Sequence, residues 1–159
     1  MTFSWKKSDG YLVMPDGKQI SCWSKVRNEL NGLRPRAPLL MGTTDVYLAT
    51  GDIPAMPRPY PVGSWRILGF KEHPDPTEDN GYLYPVFIET DAYNYVPEWE
   101  LDDNGFYLRP TGETVVDRDN GLHFSSSDWT DGCLRIGSED DIRYLWASLN
   151  IGDIFIVSE

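Results

Sequence analysis

Along this chain the periodicity of a helix occurs in one place only, between Ser138 and Asn150, and that scarcity constrains the fold more than any other feature. Ser138 predicts an N-cap, and Asp141 three residues later completes a capping-box pattern. Glu139, Asp140 and Asp141 place negative charge at the positive end of the helix dipole, which is also the reading we give that run in preference to a metal site. Ile142, Leu145, Trp146 and Leu149 then recur at i, i+3, i+4 and i+7 as one apolar face, before Asn150 and Gly152 stop it. The remainder of the chain must fold by other means.

Elsewhere the signals are those of strands and turns. Phe3 and Trp5 alternate with polar residues, Ser8-Asp9-Gly10 supplies a turn, Tyr11 to Met14 follows, Pro15-Asp16-Gly17 turns again, and Lys18 to Trp23 makes a third strand. Asp-Gly between apolar runs is a hairpin signal because both residues tolerate positive φ, so a three-stranded antiparallel meander is expected. Asn31-Gly32, Pro35 and Pro38 make residues 25–45 a loop or insertion, and Pro54, Pro57, Pro59 and Pro61 keep the next segment extended. Trp65 to Phe70 and Tyr82 to Thr90 read as strands on either side of a polar, proline-rich loop from His73 to Gly81. The acidic and aromatic stretch 91–106 carries no clear period, and Asp102-Asp103-Asn104-Gly105 reads as a turn lacking the spaced carboxylates of a calcium loop. Val115-Val116 and Leu122-His123-Phe124 are short strand candidates around Asp119-Asn120-Gly121. Ile154 to Val157, apolar on both faces, reads as a closing strand central in a sheet. The expectation is a mostly-β (β-rich α+β) fold, a single domain over residues 1–159, with no internal repeat.

Composition narrows the partners. The chain has 14 Lys+Arg against 25 Asp+Glu, a net charge of −11, with Arg27, Arg34 and Arg36 its only basic cluster. Phosphate contacts dominate nucleic-acid affinity, so no nucleic-acid partner is expected. No apolar run reaches the length of a membrane span, and the opening Met1 to Lys7 lacks the pattern of a secretory signal, so synthesis in the cytoplasm is expected. Two cysteines, Cys22 and Cys133, make neither a disulfide scaffold nor a zinc site; a single bridge between them stays open at this stage, and neither metal nor cofactor is expected.

The chemistry concentrates in residues 123–136, His-Phe-Ser-Ser-Ser-Asp-Trp-Thr-Asp-Gly-Cys-Leu-Arg-Ile. A thiol becomes a nucleophile when a base or positive field favours its thiolate, and His123 lies ten positions before Cys133 across a polar loop able to fold back. Gly132 permits a sharp turn, after which the backbone N–H groups of Gly132 and Cys133 would form an oxyanion hole. Arg135 is suited to clamping a carboxylate or organising the loop. Trp129 either stacks on substrate or packs over the core, and Asp128 and Asp131 either orient His123 or make turn hydrogen bonds. His73 is the one other histidine; its proline-rich surroundings predict an exposed side chain. From residue types alone, the alternative to a nucleophile is a buried structural thiol beside an exposed loop histidine.

Thr130-Asp131-Gly132-Cys133-Leu134-Arg135-Ile136 resembles the signature of the L,D-transpeptidase (YkuD-type) catalytic family, an upstream His followed by Ser/Thr-x-Gly-Cys-x-Arg. Upstream and in the same order, Tyr60-Pro61-Val62-Gly63-Ser64-Trp65-Arg66-Ile67 resembles the family's Pro-x-Gly-x-aromatic-x-Ile strand, and the helix and strand after the cysteine match what the family places there. The resemblance implies a β-sandwich or barrel with its principal helix after the catalytic Cys. It implies acyl transfer or hydrolysis on peptidoglycan tetrapeptide stems through a Cys133 thioester, with His123 as base, the Gly132–Cys133 oxyanion hole, and Arg135, Trp129 and Asp131 against substrate. The opening hairpin further resembles the small L,D-transpeptidase-like toxins delivered by type VI secretion. That implies action in the periplasm or cell wall without Sec export, with a secretion carrier or a cognate immunity protein as partner; release by a phage on lysis and membership of a longer polypeptide are the other routes open here. Three departures stand out: Asp131 where the family often has His, a shorter His-to-Cys loop, and Phe124 where a small residue is common. Two other readings remain open here. One is an inactive, acidic binding or immunity-type module on the same fold; the other is an unrelated cysteine hydrolase.

Overall fold

The computed structural model describes residues 1–24, 35–36, 46–48, 60–78, 81–101, 103, 106–118, 120–125 and 133–159. The opening meander forms as the Asp-Gly turns require: β1 (Thr2–Lys6), β2 (Tyr11–Val13) and β3 (Gln19–Trp23) pair antiparallel in sequence. Gly17 sits at φ 89°, a conformation open to glycine at no steric cost. Along β1 the alternation is strict. Phe3 and Trp5 are buried while Thr2, Ser4 and Lys6 face solvent.

Between Trp23 and Tyr60 two short strands are described, β4 (Pro35–Arg36) and β5 (Val46–Leu48). The rest of the expected loop and the prolines Pro54 to Pro59 lie outside the described residues. Next come β6 (Gly63–Glu72), a 3-10 turn at Gly81–Leu83, and β7 (Val86–Thr90). The strand expected from Tyr82 therefore starts four residues late. Pro85 follows a cis bond from Tyr84 and breaks the extended run, leaving Tyr82 in the 3-10 turn.

The stretch 91–106, unassigned from sequence, contains all of β8 (Asn94–Leu101), which pairs antiparallel with β9 (Phe106–Asp117). Residues 102–105 connect them, so the expected turn at Asp102-Asp103-Asn104-Gly105 falls at that reversal, with 102, 104 and 105 themselves outside the described residues. Four further elements complete the chain: β10 (Gly121–Phe124), β11 (Leu134–Ile136), α1 (Glu139–Ser148) and β12 (Ile154–Ser158). Among the described residues α1 is the one α-helix, and no helix is long and apolar enough to cross a membrane.

Eight strands close a barrel in the order β1-β12-β6-β7-β10-β11-β3-β2, and β4-β5-β9-β8 form a second sheet. The barrel core is apolar. Leu12, Ile20, Ile67, Ile88, Leu122, Leu134 and Ile136 are fully buried, and Phe3 stacks on Phe155 with ring centroids 4.5 Å apart. Strand β12 lies between β1 and β6, central as expected. Its two faces are unequal, however: Phe155 and Val157 are buried while Ile156 is 42% exposed, because one face of a barrel strand points outward. The helix is capped as the sequence implies, with Ser138 Oγ accepting from the Asp141 N–H at 3.1 Å and Arg143 pairing back to Glu139 at 3.3 Å.

Candidate active site

The barrel contains two parallel pairs among otherwise antiparallel neighbours, and one of them builds the site. Strands β10 and β11 run parallel in the register Leu122 with Leu134, His123 with Arg135, and Phe124 with Ile136. Residues alternate between faces, so Leu122 and Leu134 share one face while His123 and Arg135 share the other. Cys133 stands one residue before β11, at the level of Gly121 on the neighbouring strand. Strand spacing and rise then place the Cα atoms of His123 and Cys133 roughly 8 Å apart, a span that an imidazole and a thiol can bridge.

His123 is 3% exposed. Its Nδ1 lies 3.2 Å from the Phe124 carbonyl, which accepts from that nitrogen when it carries the proton. The rings of Tyr82 and Phe87 lie 6.3 and 6.4 Å away, Tyr82 edge-on and largely exposed. Gly121 is required by the same packing: a Cβ there would strike the Phe87 ring and the Ile88 carbonyl. Burial, with the Arg135 guanidinium acting in the same direction, pushes the imidazole pKa down to about 4. Backbone hydrogen bonds at Phe124 and Tyr82 oppose that shift without overcoming it. At neutral pH the ring is therefore uncharged and able to accept a proton.

Arg135, 7% exposed, is a buried cation opposite His123 on the neighbouring strand. Cys133 is half-buried, and neither cysteine is in a disulfide. Cys22, on β3, pairs with Ile136 of β11, is 1% exposed, and has its pKa pushed up to about 12 by burial. The bridge left open by the sequence is therefore not formed. Gly132, Trp129, Asp131 and Asp128 lie outside the described residues. His73, expected to be exposed, is only partly so. Its backbone N–H donates to the Pro85 carbonyl at 3.0 Å, and its Nε2 is buried. No group of three or more metal-ligating side chains occurs among the described residues.

Sequence reasoning passed over Tyr82, Phe87 and Gly121, which shape the histidine's surroundings. Gly121 was visible as half of an Asn-Gly pair, but a turn signal cannot reveal that an aromatic ring lies over it.

The L,D-transpeptidase catalytic domain (YkuD) family matches residues 33–157, which include β10, β11 and the cysteine between them. Two crystal structures of L,D-transpeptidase 3 from Mycobacterium tuberculosis are similar to the chain, one in complex with a faropenem-derived adduct and one at 1.32 Å resolution. Each is 15% identical with a TM-score of 0.42, and the alignment covers 99% of this chain and 60% of the other. The chain thus spans about three fifths of the length of those structures. No curated protein matches it in sequence. With its match running from the second sheet through the His123–Cys133 segment to the last strand, the chain belongs to the L,D-transpeptidase (YkuD) catalytic-domain family.

Proposed function

We propose that this protein carries out cysteine-dependent acyl transfer or hydrolysis on peptidoglycan stem peptides. The observation that carries the reading is the parallel β10–β11 pairing, with His123 on β10 and Cys133 directly before β11 inside a family-matched segment. In the proposed reaction the neutral His123 takes the thiol proton as Sγ of Cys133 attacks the carbonyl preceding a terminal D-Ala. The tetrahedral oxyanion rests on the backbone N–H groups of Gly132 and Cys133. Its collapse breaks the C–N bond, D-Ala leaves with the proton from His123, and a thioester remains. An amine resolves it to a crosslink or exchanged residue, and water resolves it to a trimmed stem.

His123 is a weak base in the resting protein, so proton transfer accompanies attack and the ion pair is not formed beforehand. Arg135 is assigned the organising role, because its burial beside His123 favours that over reaching a substrate carboxylate. Trp129 and Asp131 remain assigned to the substrate side of the same proposal. The proposal further places the reaction in the periplasm or cell wall, where such stems lie. A secretion carrier and a cognate immunity protein belong to it, supported by the resemblance of the opening hairpin. Sec-dependent export of the chain would overturn that delivery route.

The test is incubation of the protein and its Cys133→Ala variant with tetrapeptide-bearing muropeptides, read by mass spectrometry. Loss or replacement of the terminal D-Ala only with the native protein is expected. Identical spectra from the two proteins would refute the proposed activity and leave the acidic binding module as the better reading.

A further inference from the structure

One buried polar chain inside the barrel has no part in the chemistry above. Tyr60 is 0% exposed, and its hydroxyl lies 2.7 Å from Thr90 Oγ1. Thr90 Oγ1 in turn donates to the Asn120 carbonyl at 2.7 Å. A threonine hydroxyl has one proton, so spending it on Asn120 makes Tyr60 the donor to Thr90. Asn120, also fully buried, is fixed by its own amide, which donates to the carbonyls of Ala92 at 3.2 Å and Asp117 at 3.1 Å.

A phenol, a hydroxyl and an amide in an apolar core cost stability unless each is bonded, and Phe and Val would fill the same volume without that cost. Their position supplies a reason for their presence. Asn120 immediately precedes Gly121, and the β10–β11 register carried back one residue sets Gly121 beside Cys133. Thr90 ends β7 at the same level, one residue beyond the Glu89–Gly121 pair. The polar chain therefore runs from Tyr60 to the backbone against which Cys133 lies. A second observation agrees. Burial raises the Tyr60 pKa, the Thr90 bond lowers it, and negative charge on Cys133 and on Asp91 raises it again, so the thiol lies near enough for its charge to act on the phenol.

We propose that Tyr60 is a positioning residue for Cys133: through Thr90 and Asn120 its hydroxyl fixes the start of β10, and with it the place and surroundings of the thiol. This rests on Cys133 as the nucleophile. The segment Tyr60-Pro61-Val62-Gly63 thereby acts in the site through its first residue as well as lying in a strand motif.

The experiment measures the second-order rate of iodoacetamide alkylation against pH on the folded protein, with Cys133→Ala as the blank. Tyr60→Phe and Thr90→Val are each expected to slow Cys133 by about tenfold, the worth of one buried hydrogen bond, and to move the midpoint of the pH–rate profile. The double variant is expected to be no slower than either single one, because both cut the same chain. Thr90→Ser, which keeps the hydroxyl, is expected to retain the native rate and midpoint. Native rates and midpoint in Tyr60→Phe, with only a lower melting temperature, would overturn the inference by showing a structural role alone. Should Tyr60→Phe fail to fold, equal rates in Thr90→Val and Thr90→Ser would overturn it equally. A native Cys133 no more reactive than a free thiol would remove the nucleophile, and the inference with it.

Discussion

Acid should destabilise this protein through His123 as the pH falls from 6.5 toward 4. The imidazole has an ordinary pKa of 6.5 in the unfolded chain and about 4 in the folded one. Between those values the unfolded chain binds a proton that the native state refuses, so stability falls as the pH falls. The contribution of His123 is fully present above pH 6.5 and is lost progressively toward pH 4. A shift from 6.5 to about 4 corresponds to about 3 kcal/mol at the acid limit. That is a large share of the roughly 5–15 kcal/mol that holds a typical domain together. The assay is urea unfolding at intervals from pH 7.5 to pH 4.5, for the native protein and for His123→Gln. The comparison matters because a chain of net charge −11 also gains from losing self-repulsion as its acids protonate, and that gain is common to both proteins. The native protein should lose most of the 3 kcal/mol relative to the variant by pH 4.5. Parallel curves would refute the burial of a neutral imidazole, and with it the argument that His123 waits as an uncharged acceptor.

The other predictions are more local. Gly121→Ala drives a methyl into the Phe87 ring and the Ile88 carbonyl, and should cost about 2 kcal/mol or more by thermal unfolding; Gly10→Ala, with open space around its Cβ, should stay within about 0.5 kcal/mol. Ser138→Ala removes the oxygen that accepts from Asp141 N–H and should cost about 1 kcal/mol in urea, whereas Ser138→Asp should retain most of the stability. Thiol titration at neutral pH should find one reactive cysteine in the folded protein and two in denaturant. Cys22 is buried with its pKa pushed up to about 12, and two fast thiols in the folded state would contradict that placement.

Where the sequence could be read, a local rule agreed with the fold. The Asp-Gly turns produced the meander, and the capping pattern at Ser138 produced the helix start. The long β8–β9 hairpin escaped notice because its strands contain Pro97 and Pro110, each unable to donate to a ladder. The pairing absorbs them with register shifts near Pro97–Trp99 and Glu100–Leu101. Such irregular pairings leave no period of two in the sequence. At β7 the error was of the opposite kind. A run that looked continuous from Tyr82 was cut by Pro85, and the cut put Tyr82 beside His123.

For the site, residue types and order were legible, but adjacency was not. A separation of ten residues between His123 and Cys133 is compatible with a hairpin, a bulged loop or a parallel crossing. These put different groups next to the thiol. What selects the parallel crossing is residues with no chemistry of their own: Leu122 and Leu134 pair side by side and are fully buried. A slip of one residue in that register would turn the whole face over, sending His123 toward the leucine side and Leu122 toward the site. The same choice sets Arg135 against His123 and so lowers the pKa of the proposed base. Packing in the barrel wall thus decides which cation the base feels, and a motif that records only His, Gly, Cys and Arg cannot express that decision.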